Sequence, residues 1–171
     1  METITVRIRQ DAERFTPQEE EALQRAGRVI KNGGLAAFPT ETVYGLGGDA
    51  LDRESSRKIY QAKGRPQDNP LIVHICRFED LEKIVSRVPE EAVRIAEAFW
   101  PGPLTMILEK SERVPSETTG GLKTVAVRFP SHKAAQKIIE YAGGFVAAPS
   151  ANTSGKPSPT LAKYVAEDLE G

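Results

Sequence analysis

The chain has 171 residues, near the ~150 of an ordinary domain, with 39% hydrophobic and 27% charged residues. That supply of apolar side chains supports a core and excludes disorder for want of one. A formal net charge of -1 excludes a globally basic nucleic-acid binder. Charge is nonetheless sorted along the chain. Residues 11–22 carry five acids against one base, and residues 121–163 carry six Lys/Arg against Glu140 alone. Residues 56–74 hold Arg57, Lys58, Lys63 and Arg65 against Asp68. Such runs are either solvated faces or two halves of an anion site that folding assembles. With one cysteine, Cys76, and two distant histidines, neither an internal disulfide nor a structural zinc site is expected. No stretch approaches the ~20 apolar residues of a membrane span. The N-terminal METITVRIRQDAER has no apolar run of a secretory signal. A reducing, cytoplasmic setting with no membrane partner is the expectation.

Thr3 to Arg9 alternates Ile4, Val6 and Ile8, which predicts a short strand. A helix follows, with Thr16 as N-cap, Pro17 at its first position and Glu19 completing a capping box. Ala22, Leu23, Ala26, Val29 and Ile30 form its apolar stripe, and Gly33-Gly34 ends it. Leu35 to Phe38 reads as a buried strand. The segment PTETVYGLGGDA, 39–50, is turn-rich and reads as no regular element. Asp52 to Ala62 predicts a helix, KGRPQDNP a loop, and Leu71 to Ile75 a strand. Phe78 to Val85 predicts a short helix. Pro89 opens another, with Ala92, Val93, Ala96 and Phe99 on its inner face, and PGP at 101–103 stops it. Leu104 to Leu108 and Thr124 to Phe129 predict strands on either side of a loop at 111–123. Ser131 is placed to cap a helix with Ala134, Ala135, Ile138 and Ile139 inward, ended by Gly143-Gly144. A strand from Phe145 to Ala148, a polar loop and a last helix, capped by Thr160 and carrying Leu161, Val165 and Leu169, complete the chain. Helices and strands alternate without repeats. This predicts one α/β domain of α+β type, a mixed sheet flanked by helices.

Three loops carry the chemistry. The first, 38–50, sets the hydroxyls of Thr40, Thr42 and Tyr44 beside Gly45, Gly47 and Gly48, where a ligand can approach the backbone; a glycine-rich turn is the plainer reading. The second, 63–70, sets Lys63 and Arg65 around one glycine, with Asn69 beyond and His74 on the next strand. A guanidinium forks onto two oxygens while an ammonium is a mobile point charge, so the pair suits a polyanion. A basic surface loop and a satisfied strand histidine are the alternatives. The third, 149–160, crowds Ser150, Asn152, Ser154, Lys156 and Ser158 around Gly155 at a strand end, where open α/β sheets collect ligands. Its GKPS is no Walker A loop: Ser150 stands where the first glycine belongs, and Pro157 replaces the Ser/Thr. Arg128, the last basic residue of an apolar strand, is placed to clamp a carboxylate or to make a surface ion pair. No Ser-His-Asp arrangement, usable thiol or HExxH occurs, which leaves electrostatic handling of anions as the chemistry.

Five stretches in order, PTETVYGLGGDA (39–50), KGRPQDNPLIVHI (63–75), WPGPLT (100–105), TVAVRFP (124–130) and PSANTSGKPSPT (149–160), resemble the YrdC family of threonylcarbamoyl-AMP synthases. The resemblance spans nearly the whole chain. It implies a twisted, mixed open sheet with a concave, positively lined cavity. It implies a nucleotidyltransferase that turns L-threonine, bicarbonate and ATP into L-threonylcarbamoyl-AMP and pyrophosphate, the first step of N6-threonylcarbamoyladenosine formation in tRNA. Lys63 and Arg65 then match the family's catalytic and phosphate-binding Lys-x-Arg, and Ser150 and Asn152 its Ser-x-Asn pair. Asn69, Thr124 and Ser158 align with further ATP contacts. Thr42, His74, Arg128 and the backbone at Ala148 align with the L-threonine pocket, Arg128 on the carboxylate. Mg²⁺ is expected with ATP, held by phosphates and water and by no protein metal site. tRNA or the proteins that transfer the threonylcarbamoyl group are expected as further partners. Family members continue past the last helix with a strand bearing a Ser-Thr-apolar-apolar-Asp motif, and longer ones add a second domain. Residues 1–171 are therefore expected to be the catalytic domain without those parts. The competing readings are a double-stranded RNA or tRNA-binding module without catalysis, a carbamoyl-adenylate enzyme like the YrdC-like domain of hydrogenase maturation proteins, and a regulatory domain.

Overall fold

Helix α1, Pro17–Lys31, opens on the expected capping box: Thr16 Oγ1 accepts the Glu19 N–H at 3.2 Å, and the Glu19 carboxylate accepts the Thr16 N–H at 2.8 Å. The computed structural model describes residues 3–9 and 14–169. The strand expected from Thr3 to Arg9 is not formed. Residues 3–9 pair with no strand among the described residues, and Ile4 and Val6 are more than half exposed. Alternation suits a pleated, half-buried surface only where a partner strand receives it. Here Arg9 instead closes on α1, its N–H and guanidinium both donating to the Glu19 carboxylate.

Six strands form one open sheet among the described residues: β1, Ala36–Phe38; β2, Gly45–Asp49; β3, Ile72–His74; β4, Thr105–Glu109; β5, Thr124–Arg128; and β6, Val146–Ala147. Their spatial order is β1-β2-β6-β3-β5-β4. β3 and β5 run parallel, and every other neighbouring pair is antiparallel, so the sheet is mixed as expected. β2 is a correction, because the glycine-rich segment was expected to be irregular. Glycine disfavours a strand on entropy but is required where neighbours press close. A Cβ on Gly47 would lie 2.6 Å from the Phe38 ring and 2.8 Å from Val146 Cγ1.

Helix α2, Arg53–Lys63, is capped by the Asp52 carboxylate and ended by Gly64 in the left-handed region at φ 57°. A 3₁₀ turn at Phe78–Lys83 replaces the expected helix. Helix α3, Glu90–Phe99, presents only Ala92 and Ala96 to the core. Phe99, expected inward, is 60% exposed, and Trp100 packs in its place, edge-on to Phe129. Val29 and Leu161 also remain largely exposed. Helix α4, Lys133–Tyr141, starts after His132 without a side-chain cap, so Ser131 does not take the role expected of it. Helix α5, Ala162–Leu169, closes the described chain. No helix among the described residues is long and apolar enough to cross a membrane.

Strand alternation sorts the sheet into two faces. One carries Val73, Met106, Val125, Val127 and Ala147 into the larger core with Ile59, Leu81, Ala92 and Ala96. On the other, α1 and α4 cover β1, β2 and β6 through Leu23, Ile30, Ala135, Ile138 and Ile139 against Phe38, Val146 and Ala148. Gly27 brings the two helices together, since a Cβ there would sit 2.3 Å from Tyr141 Cβ. That cover stops at β6. The same face of β3, β5 and β4 carries Ile72, Ala126 and Ile107, none of which joins a core cluster, and Ile107 is 69% exposed. Half of one sheet face, the trough, is therefore left without a covering helix.

Candidate active site

Arg128 and His74 end the parallel strands β5 and β3 and stand level with each other. Both belong to the trough face, and both are buried. The Arg128 guanidinium reaches across to the loop between β1 and β2. Its Nη1 donates to Thr42 Oγ1 at 3.1 Å, its Nη2 pairs with the Glu41 carboxylate, and its Nε has no hydrogen-bond partner among the described residues. Burial pushes the Glu41 carboxyl up, but the bond from Arg128, with backbone N–H groups of Glu41 and His132, more than offsets it. The carboxyl lies below its ordinary range and is ionised. Thr40 shapes this loop: its hydroxyl accepts the Thr42 N–H at 3.2 Å and donates to the Val43 carbonyl at 2.6 Å.

His74 is pushed down to about 4, first by burial and then by the Arg128 charge, so its ring is neutral near pH 7. Its Nδ1 lies 3.1 Å from the Ile72 carbonyl. That is the bond of a satisfied strand histidine, made by a ring that also stands beside Arg128.

The other end of the trough holds the second group. Thr124 begins β5, and the register that sets Ile72 against Ala126 brings it level with Pro70. Arg65 binds that end of the chain, with Nε on the Asn69 carbonyl at 3.1 Å and Nη2 on Asn69 Oδ1 at 2.6 Å and the Pro70 carbonyl at 3.0 Å. Lys63 corrects the expectation of a mobile charge on a loop. It is the last residue of α2, 1% exposed, and its ammonium donates to the Ser150 and Asn152 carbonyls. The helix ends at Gly64, one residue later, so Lys63 keeps a helical direction that points inward. Burial, then the Arg65 charge, lowers it to about 8.

The loop after β6 is hung on the start of β2. Leu46 N–H donates to the Pro149 carbonyl, Ala151 N–H to Tyr44, and Tyr44 N–H to Pro159. Ala148 is buried, its N–H donating to the Ile72 carbonyl at 2.9 Å. Asn152 is 5% exposed; its Nδ2 donates to the Thr153 and Lys156 carbonyls, both at 2.9 Å, and its Oδ1 has no partner among the described residues. Ser158 is exposed on the outer part of the same loop. The two basic segments of the sequence thus meet, Lys63 under Ser150–Asn152 and β3 beside β5. Two cavities of about 260 and 360 Å³ lie elsewhere, one by Tyr60 and Glu117, the other by Cys76 and Gln136, and include no residue of this track. Among the described residues no group of three or more His, Cys, Asp or Glu is placed to hold a metal ion.

Sequence reasoning missed two residues. Glu41 sits inside the PTET segment that was read for its hydroxyls, and an acid four strands from its arginine in chain order gives no local signal. Asp168 reaches the 150–156 loop from α5, with nothing in the spacing to announce it.

A family model named for Sua5, YciO and YrdC, described as "Telomere recombination", matches residues 28–171. The chain belongs to the Sua5/YciO/YrdC family. Over 153 residues it is 58% identical to the threonylcarbamoyl-AMP synthase of Pyrococcus abyssi, covering 90% of this chain and 45% of that protein. The corresponding enzyme of Bacillus subtilis is 49% identical over 150 residues, 87% of this chain and 43% of that one. The crystal structure of P. abyssi Sua5 complexed with L-threonine matches with a TM-score of 0.89 at 57% identity, over 93% of this chain and 46% of its own. The mixed open sheet is thus the fold of this Sua5/YciO/YrdC family member, as the five stretches implied. The chain spans less than half the length of these relatives.

Proposed function

We propose that this chain is the catalytic domain of a threonylcarbamoyl-AMP synthase. The observation that carries the reading is the pair of polar groups that the fold sets at the two ends of β3 and β5. A buried guanidinium with an unpartnered Nε stands at one end, and Lys63, Arg65 and Asn152 at the other. The four residue steps from Thr124 to Arg128 set the ends roughly 13 Å apart at ~3.3 Å per step, room for an amino-acid carbamate followed by a nucleotide. The names of the relatives and the L-threonine bound to P. abyssi Sua5 support the reading.

In this reading Arg128 takes the threonine carboxylate, and Thr42, His74 and the Ala148 backbone surround the side chain. Arg65, Asn69, Thr124, Ser150, Asn152 and Ser158 line the ATP end. Lys63 contributes its charge from beneath the loop. The threonine amine adds to the carbon of bicarbonate with loss of water, giving a carbamate. A carbamate oxygen then attacks the α-phosphorus, the bond to the β-phosphate oxygen breaks, and pyrophosphate leaves. Fixed cations at that end favour the transition state because they already face the charge that develops on the phosphates. Mg²⁺ enters as part of the ATP complex. Transfer of the threonylcarbamoyl group to tRNA falls to other proteins that consume the adenylate.

Pyrophosphate release by the purified protein tests this. Release is expected only when L-threonine, bicarbonate and ATP are all present. ATP turnover indifferent to threonine overturns the reading, and binding of RNA without any turnover replaces it with the binding-module alternative.

A further inference from the structure

The loop that carries Asn152 is held from two sides. Lys63 takes it from beneath, through the Ser150 and Asn152 carbonyls. From the other side α5 returns Asp168 to it. One carboxylate oxygen accepts Lys156 Nζ at 2.6 Å, the other accepts the Thr153 N–H at 3.3 Å, and the Asp168 carbonyl accepts the Thr153 hydroxyl at 3.0 Å. Thr153 and Lys156 are also the residues whose carbonyls receive the Asn152 side-chain amide. The donors of this turn are thus fixed by Asp168, and its acceptors fix Asn152. The Asp168 side chain is 14% exposed against 55% for Lys156, so the carboxylate is the more enclosed partner of the pair. The Lys156 ammonium, against the opposing effect of burial, keeps its carboxyl below the ordinary range, so it is charged near pH 7.

We propose that Asp168 is a positioning residue for the nucleotide end of the site. It holds the Thr153–Lys156 turn and so aims the Asn152 amide, whose Oδ1 is buried and without a partner among the described residues. This rests on the reading that the Ser150–Asn152 loop binds ATP. Asp168→Asn presents an amide donor to one of two groups that are themselves donors, so the turn loses a fixed contact.

The test is steady-state pyrophosphate release by the full-length protein. In Asp168→Asn the KM for ATP should rise about tenfold, the loss of one charge-assisted hydrogen bond, while the KM for L-threonine stays within twofold. Asp168→Glu, which keeps the charge and both acceptors, should recover most of the difference. Lys156→Met should raise the ATP KM by less, because Thr153 stays held, and adding it to Asp168→Asn should cost nothing further, since both break one link. An unchanged ATP KM in both single variants overturns the proposal. So does an equal rise in both KM values with a lowered Tm, which marks a merely structural role. If Asp168→Asn does not fold, the exposed Lys156→Met decides alone. Failure of the underlying reading is separate: the unaltered protein then needs no threonine or bicarbonate to turn over ATP.

Discussion

Arg128 distributes its guanidinium over Thr42 and Glu41 and keeps Nε unpaired, so its value depends on the shape of the fork and not on charge alone. A lysine supplies one compact charge and cannot span those positions. Arg128→Lys is expected to keep its fold and ATP affinity but bind L-threonine at least several-fold more weakly, about 1 kcal/mol or more. Calorimetric titration with each ligand checks this, and unchanged threonine affinity would make Arg128 a structural residue. His74 gives the molecule a pH dependence of definite sign. It is neutral in the fold down to about pH 4, whereas in the unfolded chain it protonates near 6.5. Between these values the unfolded state binds a proton that the folded state does not, so stability falls as pH falls. Denaturant unfolding at pH 7 and pH 4.5 should show the unaltered protein losing roughly 2 kcal/mol more than His74→Asn. Equal losses would mean that the ring takes up a proton in place.

At the scale of elements, the capping box of α1 and the break after α3 were legible because each depends on neighbours in sequence. β2 was not. Its glycines argue against a strand until Phe38, Val146 and Ile30 are seen to occupy the space that a side chain would need. Gly47→Ala is therefore expected to destabilise by about 2 kcal/mol through overpacking, a fall in Tm on the order of 5 °C. Thermal unfolding followed by circular dichroism measures it. An unchanged Tm would mean that Phe38 swings aside freely. The Thr3 to Arg9 segment shows the converse: its alternation is sound, but no strand among the described residues receives it.

Across the whole molecule, one sheet separates the two main apolar clusters and contributes side chains to both. Neither can lose its packing while the shared strands stay in register. Unfolding should accordingly be a single transition, with Trp100 fluorescence, on one face, and helical dichroism, which includes α1 and α4 on the other, giving coincident midpoints. Divergent midpoints would show that the α1–α4 layer melts as a separate unit. The same division explains the trough, because two helices of moderate length cover only β1, β2 and β6.

Local chemistry is what the amino-acid order determined by itself: caps, turn glycines, apolar stripes, and the five stretches that carry the family. These are encoded within a few residues of where they act. Tertiary structure alone decided that Lys63 turns inward to hold Ser150 and Asn152, that Glu41 rather than solvent neutralises Arg128, and that Asp168 reaches Thr153 and Lys156. Each of these contacts joins groups brought together by strand order and helix packing. An ammonium or carboxylate takes whichever partner lies beside it once water is excluded, and spacing along the chain does not specify that neighbour.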